Sequence, residues 1–181
     1  MMTWRRKLAR LIGLEVPLTH IEAGNTAPHF SLKALDGKEY SLEAVLERGP
    51  AVVAFFKISC PVCQFTFPFL QRIFERFSDP GISFLGVSQD DPRSTEEFNH
   101  EYGVTFTTLV DDDGYPVSNA YGLTNVPSIF LVTTDGTVQV SCMGFDKAAL
   151  ERIADELARY RNSSALPLFR PDEVVPAFKP G

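Results

Sequence analysis

Residues 51–77 set an unbroken apolar run, a cysteine pair and a helical apolar pattern end to end. Residues 51–56 read Ala-Val-Val-Ala-Phe-Phe, rich in β-branched and aromatic side chains. Such a run predicts a strand buried on both faces, inside a sheet covered by helices. Phe67, Leu70, Ile73, Phe74 and Phe77 then recur at helical spacing. Cys60-Pro61-Val62-Cys63 stands at the junction. The first turn of a helix has unpaired N–H groups and the positive end of the dipole, and both favour a thiolate. Pro61 suits the first helical position, where its missing N–H costs nothing. Cys60 is then the exposed N-cap and attacking thiol, with Cys63 one turn inside as the resolving thiol.

Other readings of the pair are half of a zinc site or two core cysteines. A structural zinc site wants four ligands. The chain offers one further cysteine, Cys142, and three scattered histidines. Three cysteines are also too few for a disulfide scaffold. A net charge of −6 argues against nucleic acid as a partner. No apolar run approaches the roughly 18 residues of a membrane span. No sustained apolar stretch follows the basic Arg5, Arg6 and Lys7, so the expected location is the cytoplasm.

Asp36-Gly37 between short alternating runs predicts a hairpin ending near residues 39–41, and residues 42–47 a short helix capped by Ser41. Gly49-Pro50 breaks it and leads into the central strand. A second buried strand follows at 82–87, a helix at 95–102 capped by Ser94 and stopped by Gly103, and a short strand at 106–110. Asp111-Asp112-Asp113-Gly114 lacks the alternating ligands and distal Glu of a calcium loop and reads as a polar turn before a helix at 115–121. Strands at 128–132 and 137–142 flank Asp135-Gly136, and a final amphipathic helix covers 145–160. Alternation places Cys142 with Val138 and Val140, as a buried free cysteine. The order predicts a three-layer α/β/α sandwich with a mixed central sheet and an N-terminal β-hairpin extension. Residues 1–23 form a basic extension in which Trp4, Leu8, Leu11 and Ile12 share a helix face; residues 24–161 form the domain. Residues 162–181 read as an extended Pro-rich tail without a redox residue. A continuation past Gly181 carrying a cysteine or selenocysteine would add one.

The chain resembles the thioredoxin-fold superfamily, specifically the TlpA-like thiol–disulfide oxidoreductases and the neighbouring AhpC/TSA-related redoxins. The resemblance rests on Ala27-Pro-x-Phe-x-Leu-x-x-Leu-Asp-Gly37, the strand into Cys60-Pro-Val-Cys63, Phe84-Leu-Gly-Val-Ser88, Tyr121-Gly-Leu-Thr-Asn-Val-Pro127, Phe130-Leu-Val-Thr-Thr-Asp-Gly136 and Gly144. It implies a thioredoxin-like fold, a protein or small-molecule disulfide as substrate, and neither cofactor nor metal; the electron donor, thioredoxin or a similar protein, stays open. A monomer is expected. The resemblance also implies a cis Val126-Pro127 bond facing the cysteines, with the Val126 backbone binding an extended substrate segment. The chain departs from the family where Thr66 replaces a glutamate three residues after the second cysteine, and where Ala54 replaces thioredoxin's buried aspartate. Lys57 is a candidate cation to favour the Cys60 thiolate. Pro61 and Val62 bring no charge or side-chain donor, which implies a moderately reducing couple. A thiol peroxidase is the alternative activity, but Pro-x-x-x-Thr/Ser-x-x-Cys fits neither cysteine: Lys57 and Val53 precede one, Cys60 and Phe56 the other. A third reading is Cu(I) binding by the thiolates. It lacks the distal histidine of such relatives, since none follows His100.

Overall fold

The computed structural model describes residues 19–78 and 80–181. The expected N-terminal helix face of Trp4, Leu8, Leu11 and Ile12 lies outside them. At the centre runs a five-stranded mixed sheet. A two-stranded hairpin precedes it, formed by β1 (Ser31–Lys33) and β2 (Glu39–Ser41), and α1 (Leu42–Leu46) follows. Ser41 caps α1, accepting from the Ala44 N–H. The sheet is built from β3 (Ala51–Phe56), β4 (Ser83–Ser88), β5 (Thr107–Val110), β6 (Ser128–Val132) and β7 (Val138–Met143). Its spatial order is β5-β4-β3-β6-β7. β3 runs parallel to β4 and antiparallel to β6. Between the strands lie α2 (Pro61–Phe77), α3 (Pro92–Tyr102) and α4 (Pro116–Ala120), and α5 (Lys147–Tyr160) closes the domain.

Every residue of β3 is buried, because its two faces feed two different cores. Val52, Ala54 and Phe56 join Phe67, Leu70 and Ile73 of α2, Phe98 of α3, and Leu150 and Ile153 of α5. Ala51, Val53 and Phe55 join Phe30, Val45, Leu46, Val117 and Tyr121 on the opposite face. Helices over both faces explain an apolar run that does not alternate. The N-terminal segment bridges both sheet edges: Gly24 N–H donates to Val138 O at 2.8 Å, and Leu35 N–H donates to Thr108 O at 3.0 Å.

Several boundaries differ from the sequence expectation, each for a local reason. Asp91, not Ser94, caps α3, accepting from the Ser94 N–H at 3.0 Å, and Pro92 occupies its first turn. The last helix starts at Lys147 because Asp146 caps it, accepting from Ala149 N–H at 3.1 Å. The two residues before it form β8 (Phe145–Asp146). Val138 does not share a face with Val140 and Cys142. A β-bulge between Leu131 and Val132 pairs them with Val140 and Val138, so Gln139 is an extra residue. The parity of β7 flips there, sending Val138 to one core and Val140 with Cys142 to the other. The segment after Asn162 is almost wholly irregular, yet it is not detached. Leu168 and Phe169 are buried, and β9 (Phe178–Lys179) pairs antiparallel with β8.

Candidate active site

The carboxyl end of β3 delivers the cysteine pair. Three residues, Lys57, Ile58 and Ser59, turn the chain from β3 to α2, closed by Cys60 N–H donating to Lys57 O at 3.1 Å. Cys60 is the N-cap of α2 with extended φ and ψ, and Pro61 opens the helix. The Cys60 sulfur accepts from the Cys63 N–H at 3.3 Å, satisfying one orphan donor of the first turn. On its other side the Cys60 thiol donates to the Val126 carbonyl at 3.3 Å. The helix N–H stabilises the ionised sulfur, whereas the carbonyl accepts only from the protonated one.

The two thiols differ sharply. Both are free; Cys60 is partly exposed and Cys63 is 0% exposed. Burial pushes the Cys63 thiol well above its ordinary value; a hydrogen bond from the Lys57 backbone opposes the shift, and the Cys60 sulfur and, least, the Asp90 charge add to it. Cys63 is therefore a protonated, sealed thiol one turn behind an accessible one.

The Val126-Pro127 peptide bond is cis. The loop that carries it is fixed from behind. Ser128 Oγ donates to Asn125 O at 2.9 Å, and Gly144 N–H donates to Pro127 O at 2.8 Å. Cys60, Cys63, Val126 and Pro127 are thus brought to one place. Pro61 is exposed on the first turn and Val62 packs against the core. Lys57 and Thr66 point elsewhere: the Lys57 ammonium lies 5.4 Å from the Tyr115 ring centroid. The Thr66 hydroxyl donates to Val62 O at 2.6 Å within its own helix.

Two residues unmarked in the sequence build the loop around Cys60. Asp90 Oδ2 accepts from the Ile58 N–H at 2.8 Å, and Gln64 Nε2 donates to Ile58 O at 2.9 Å. The peptide groups on both sides of Ile58 are therefore held by side chains from two other elements. The available signal was position. Asp90 follows β4, the parallel neighbour of β3, at the sheet end where α/β proteins place their chemistry. Asp111 is 2% exposed and accepts from Val117 N–H, Ser118 N–H and Ser118 Oγ. Its carboxylate is committed to starting α4, and no group of three or more potential metal ligands occurs among the described residues. Cys142 is buried against Gly144 O, and burial pushes its thiol up to about 12. Among the described residues no helix is long and apolar enough to cross a membrane.

The chain is similar to known proteins over most of the described domain. The thiol–disulfide oxidoreductase ResA of Geobacillus thermodenitrificans is 30% identical over 122 residues, covering 67% of this chain and 69% of the relative. The solved structure of MTB DsbF is 34% identical with a TM-score of 0.62, covering 71% of this chain and 94% of that one. The thiol:disulfide interchange protein DsbE from Chlorobium tepidum superposes with a TM-score of 0.68 at 22% identity, over 77% and 97% of the two chains. That last likeness speaks for the thioredoxin-like fold alone. The AhpC/TSA family model matches residues 23–141, from the N-terminal segment that crosses the sheet through to β7. With the cysteine turn and the cis-proline loop both inside that span, the chain belongs to the AhpC/TSA family.

Proposed function

We propose that the protein is a thiol–disulfide oxidoreductase in which Cys60 is the nucleophile and Cys63 the resolving thiol. The observation that carries this reading is the division of exposure across one helical turn: the outer sulfur is reachable and the inner one is sealed. The Cys60 thiolate attacks one sulfur of a substrate disulfide. The S–S bond breaks, one substrate thiolate leaves, and a Cys60–substrate mixed disulfide forms. Cys63 loses its proton and attacks the Cys60 sulfur. The second substrate thiolate departs and a Cys60–Cys63 disulfide closes. Two electrons pass to the substrate, and the protons of the two protein thiols end on the two substrate thiols. An external dithiol reverses the oxidation of the pair. Val126 and Pro127 supply the main-chain surface beside the exchanging sulfurs. The name of the ResA relative supports the same chemistry.

The test is insulin reduction with dithiothreitol as donor, with hydrogen peroxide consumption followed on the same preparation. The wild type accelerates insulin reduction, Cys60→Ser abolishes it, and Cys63→Ser accumulates a mixed disulfide visible by mass. Rapid peroxide consumption that disappears in Cys60→Ser, without insulin reduction, would instead make the protein a thiol peroxidase.

A further inference from the structure

Gly181 lies against the Val126 carbonyl, the same group that the attacking thiol touches. After α5 the chain's C-terminal segment crosses the outer side of α2, where two arginines hold it. Arg76 donates to Leu166 O at 3.0 Å and Pro167 O at 2.7 Å. Arg72 donates to Leu168 O at 3.0 Å and grips Glu173 through both carboxylate oxygens, at 2.8 and 2.7 Å. Phe169 packs its ring 5.1 Å from that of Phe69. Lys147 N–H then donates to Ala177 O at 3.0 Å, and β9 runs along β8 with Lys179 opposite Phe145. The Lys179 ammonium sits 4.4 Å from the Phe65 ring centroid, two residues beyond Cys63.

The contact at the end of this strap is close. Gly144 has φ +71, and a Cβ there would lie 2.3 Å from Lys179 O and 2.8 Å from Gly181 N. A Cβ on Gly181 would lie 2.4 Å from Val126 O. Backbone therefore lies directly on backbone at Gly144 and at the Val126 carbonyl. Beside Val126 lies a cleft of about 270 Å³ lined by uncharged polar and apolar side chains, among them Gln89, Tyr115, Asn119, Leu123 and Asn125. Its volume falls just below the roughly 300–1,000 Å³ range typical of small-molecule sites.

We propose that residues 178–181 determine which disulfides the thiol pair accepts. Docked, Gly181 covers the Val126 carbonyl beside Cys60, while a small disulfide, which needs no main-chain pairing there, still reaches the partly exposed sulfur. A disulfide within a polypeptide reaches Cys60 only by displacing residues 178–181. This rests on the thiol-exchange reading above. The affinity of a site open in one molecule in ten is reduced tenfold.

The experiment mixes pre-reduced protein with cystine or with insulin in single turnovers, followed by acid quench and mass counting of the Cys60–Cys63 disulfide. A chain ending at Ala177 keeps both arginine anchors. Its rate with insulin rises about tenfold while its rate with cystine changes less than about twofold. An unchanged or lower insulin rate beside normal cystine turnover overturns the proposal. Absence of turnover with both substrates in the full chain overturns the thiol-exchange reading itself. A second measurement uses full-length Cys63→Ser carrying a mixed disulfide. With a polypeptide attached, the amides of Lys147, Phe178 and Lys179 lose hydrogen-exchange protection; with cysteine attached they keep it. Protection retained under the polypeptide adduct overturns the strap's role.

Discussion

At the residue scale the asymmetry of the two thiols governs the chemistry. Cys63 is held protonated by burial, so the closing step draws on a small thiolate fraction. That fraction grows about tenfold per pH unit below the thiol's own value. In stopped-flow experiments, decay of the mixed disulfide keeps accelerating through about pH 10, where a thiol at the ordinary value of 9.0 has already levelled off; a plateau by about pH 10 would contradict a raised Cys63. Asp90 enters twice, as the acceptor for Ile58 N–H and as a negative charge that raises Cys63 further. Asp90→Asn keeps an acceptor oxygen and removes the charge, so Cys63 ionises more easily and the mixed disulfide decays faster at pH 7. Asp90→Ala also removes the acceptor, which costs about 1 kcal/mol of stability and loosens the turn that aims Cys60. Equal decay rates in Asp90→Asn and the wild type would show that the charge does not act on Cys63. The cysteine pair and its helix position were legible because strand, Cys-x-x-Cys and apolar helix are contiguous. Asp90 was not, because its partner Ile58 lies 32 positions away and no spacing rule links them.

At the element scale, what the sequence revealed depended on whether an element's ends are set locally. Strand β3 and helix α2 were readable because their apolar patterns are long and their junction is a cap with a proline behind it. The start of α3 slipped because two capping residues compete within four positions, and the one followed by proline won. The loop before β3 shows a different constraint. Gly49 has φ +156, and a Cβ there would lie 1.7 Å from Gly81 O, in the loop that leads into β4. Because the obstacle is backbone, Gly49→Ala has no side chain to push aside. It destabilises the fold by about 3 kcal/mol, read as a lowered urea midpoint. The strap has its own pH dependence. The Glu173 carboxyl is pulled down to about 2 from 4.5, chiefly by its Arg72 hydrogen bond. A depressed acid contributes its stabilisation above the unfolded value, and the contribution is lost as pH falls toward the folded one. Hydrogen exchange in residues 166–173 is therefore slow at pH 6 and faster relative to α2 at pH 3. Parallel exchange in the two segments at both pH values would remove the ion pair as the strap's anchor.

On the scale of the whole molecule, one strand supports two cores, and this part of the design was written plainly in residues 51–56. The docking of residues 164–181 was not, because it uses backbone carbonyls and a few isolated apolar side chains that leave no periodic pattern. The double core also stores ionisable groups away from water. Cys63 and Cys142 are buried on one side of the sheet, and Tyr121 on the other with no hydrogen-bond partner for its hydroxyl among the described residues. Burial raises all three above their ordinary values. For an acid raised on folding, the unfolded chain ionises first, so stability is intact below the unfolded value and falls as pH climbs past it. The thiols start from 9.0 and the phenol from 10.0. Between pH 8 and pH 10 each buried thiol costs about 1.4 kcal/mol, or about 3 kcal/mol for the two together. At about 3 °C per kcal/mol for a chain of this size, the melting temperature of the reduced protein falls by about 9 °C from these two groups. Cys142→Ala separates this effect from changes in surface charge. The substitution shifts stability by a constant amount at neutral pH and removes one of the titrating acids. Its alkaline loss between pH 8 and pH 10 is then smaller than the wild type's by about 1.4 kcal/mol, whereas parallel pH profiles would mean that Cys142 ionises as freely in the folded protein as in the unfolded chain.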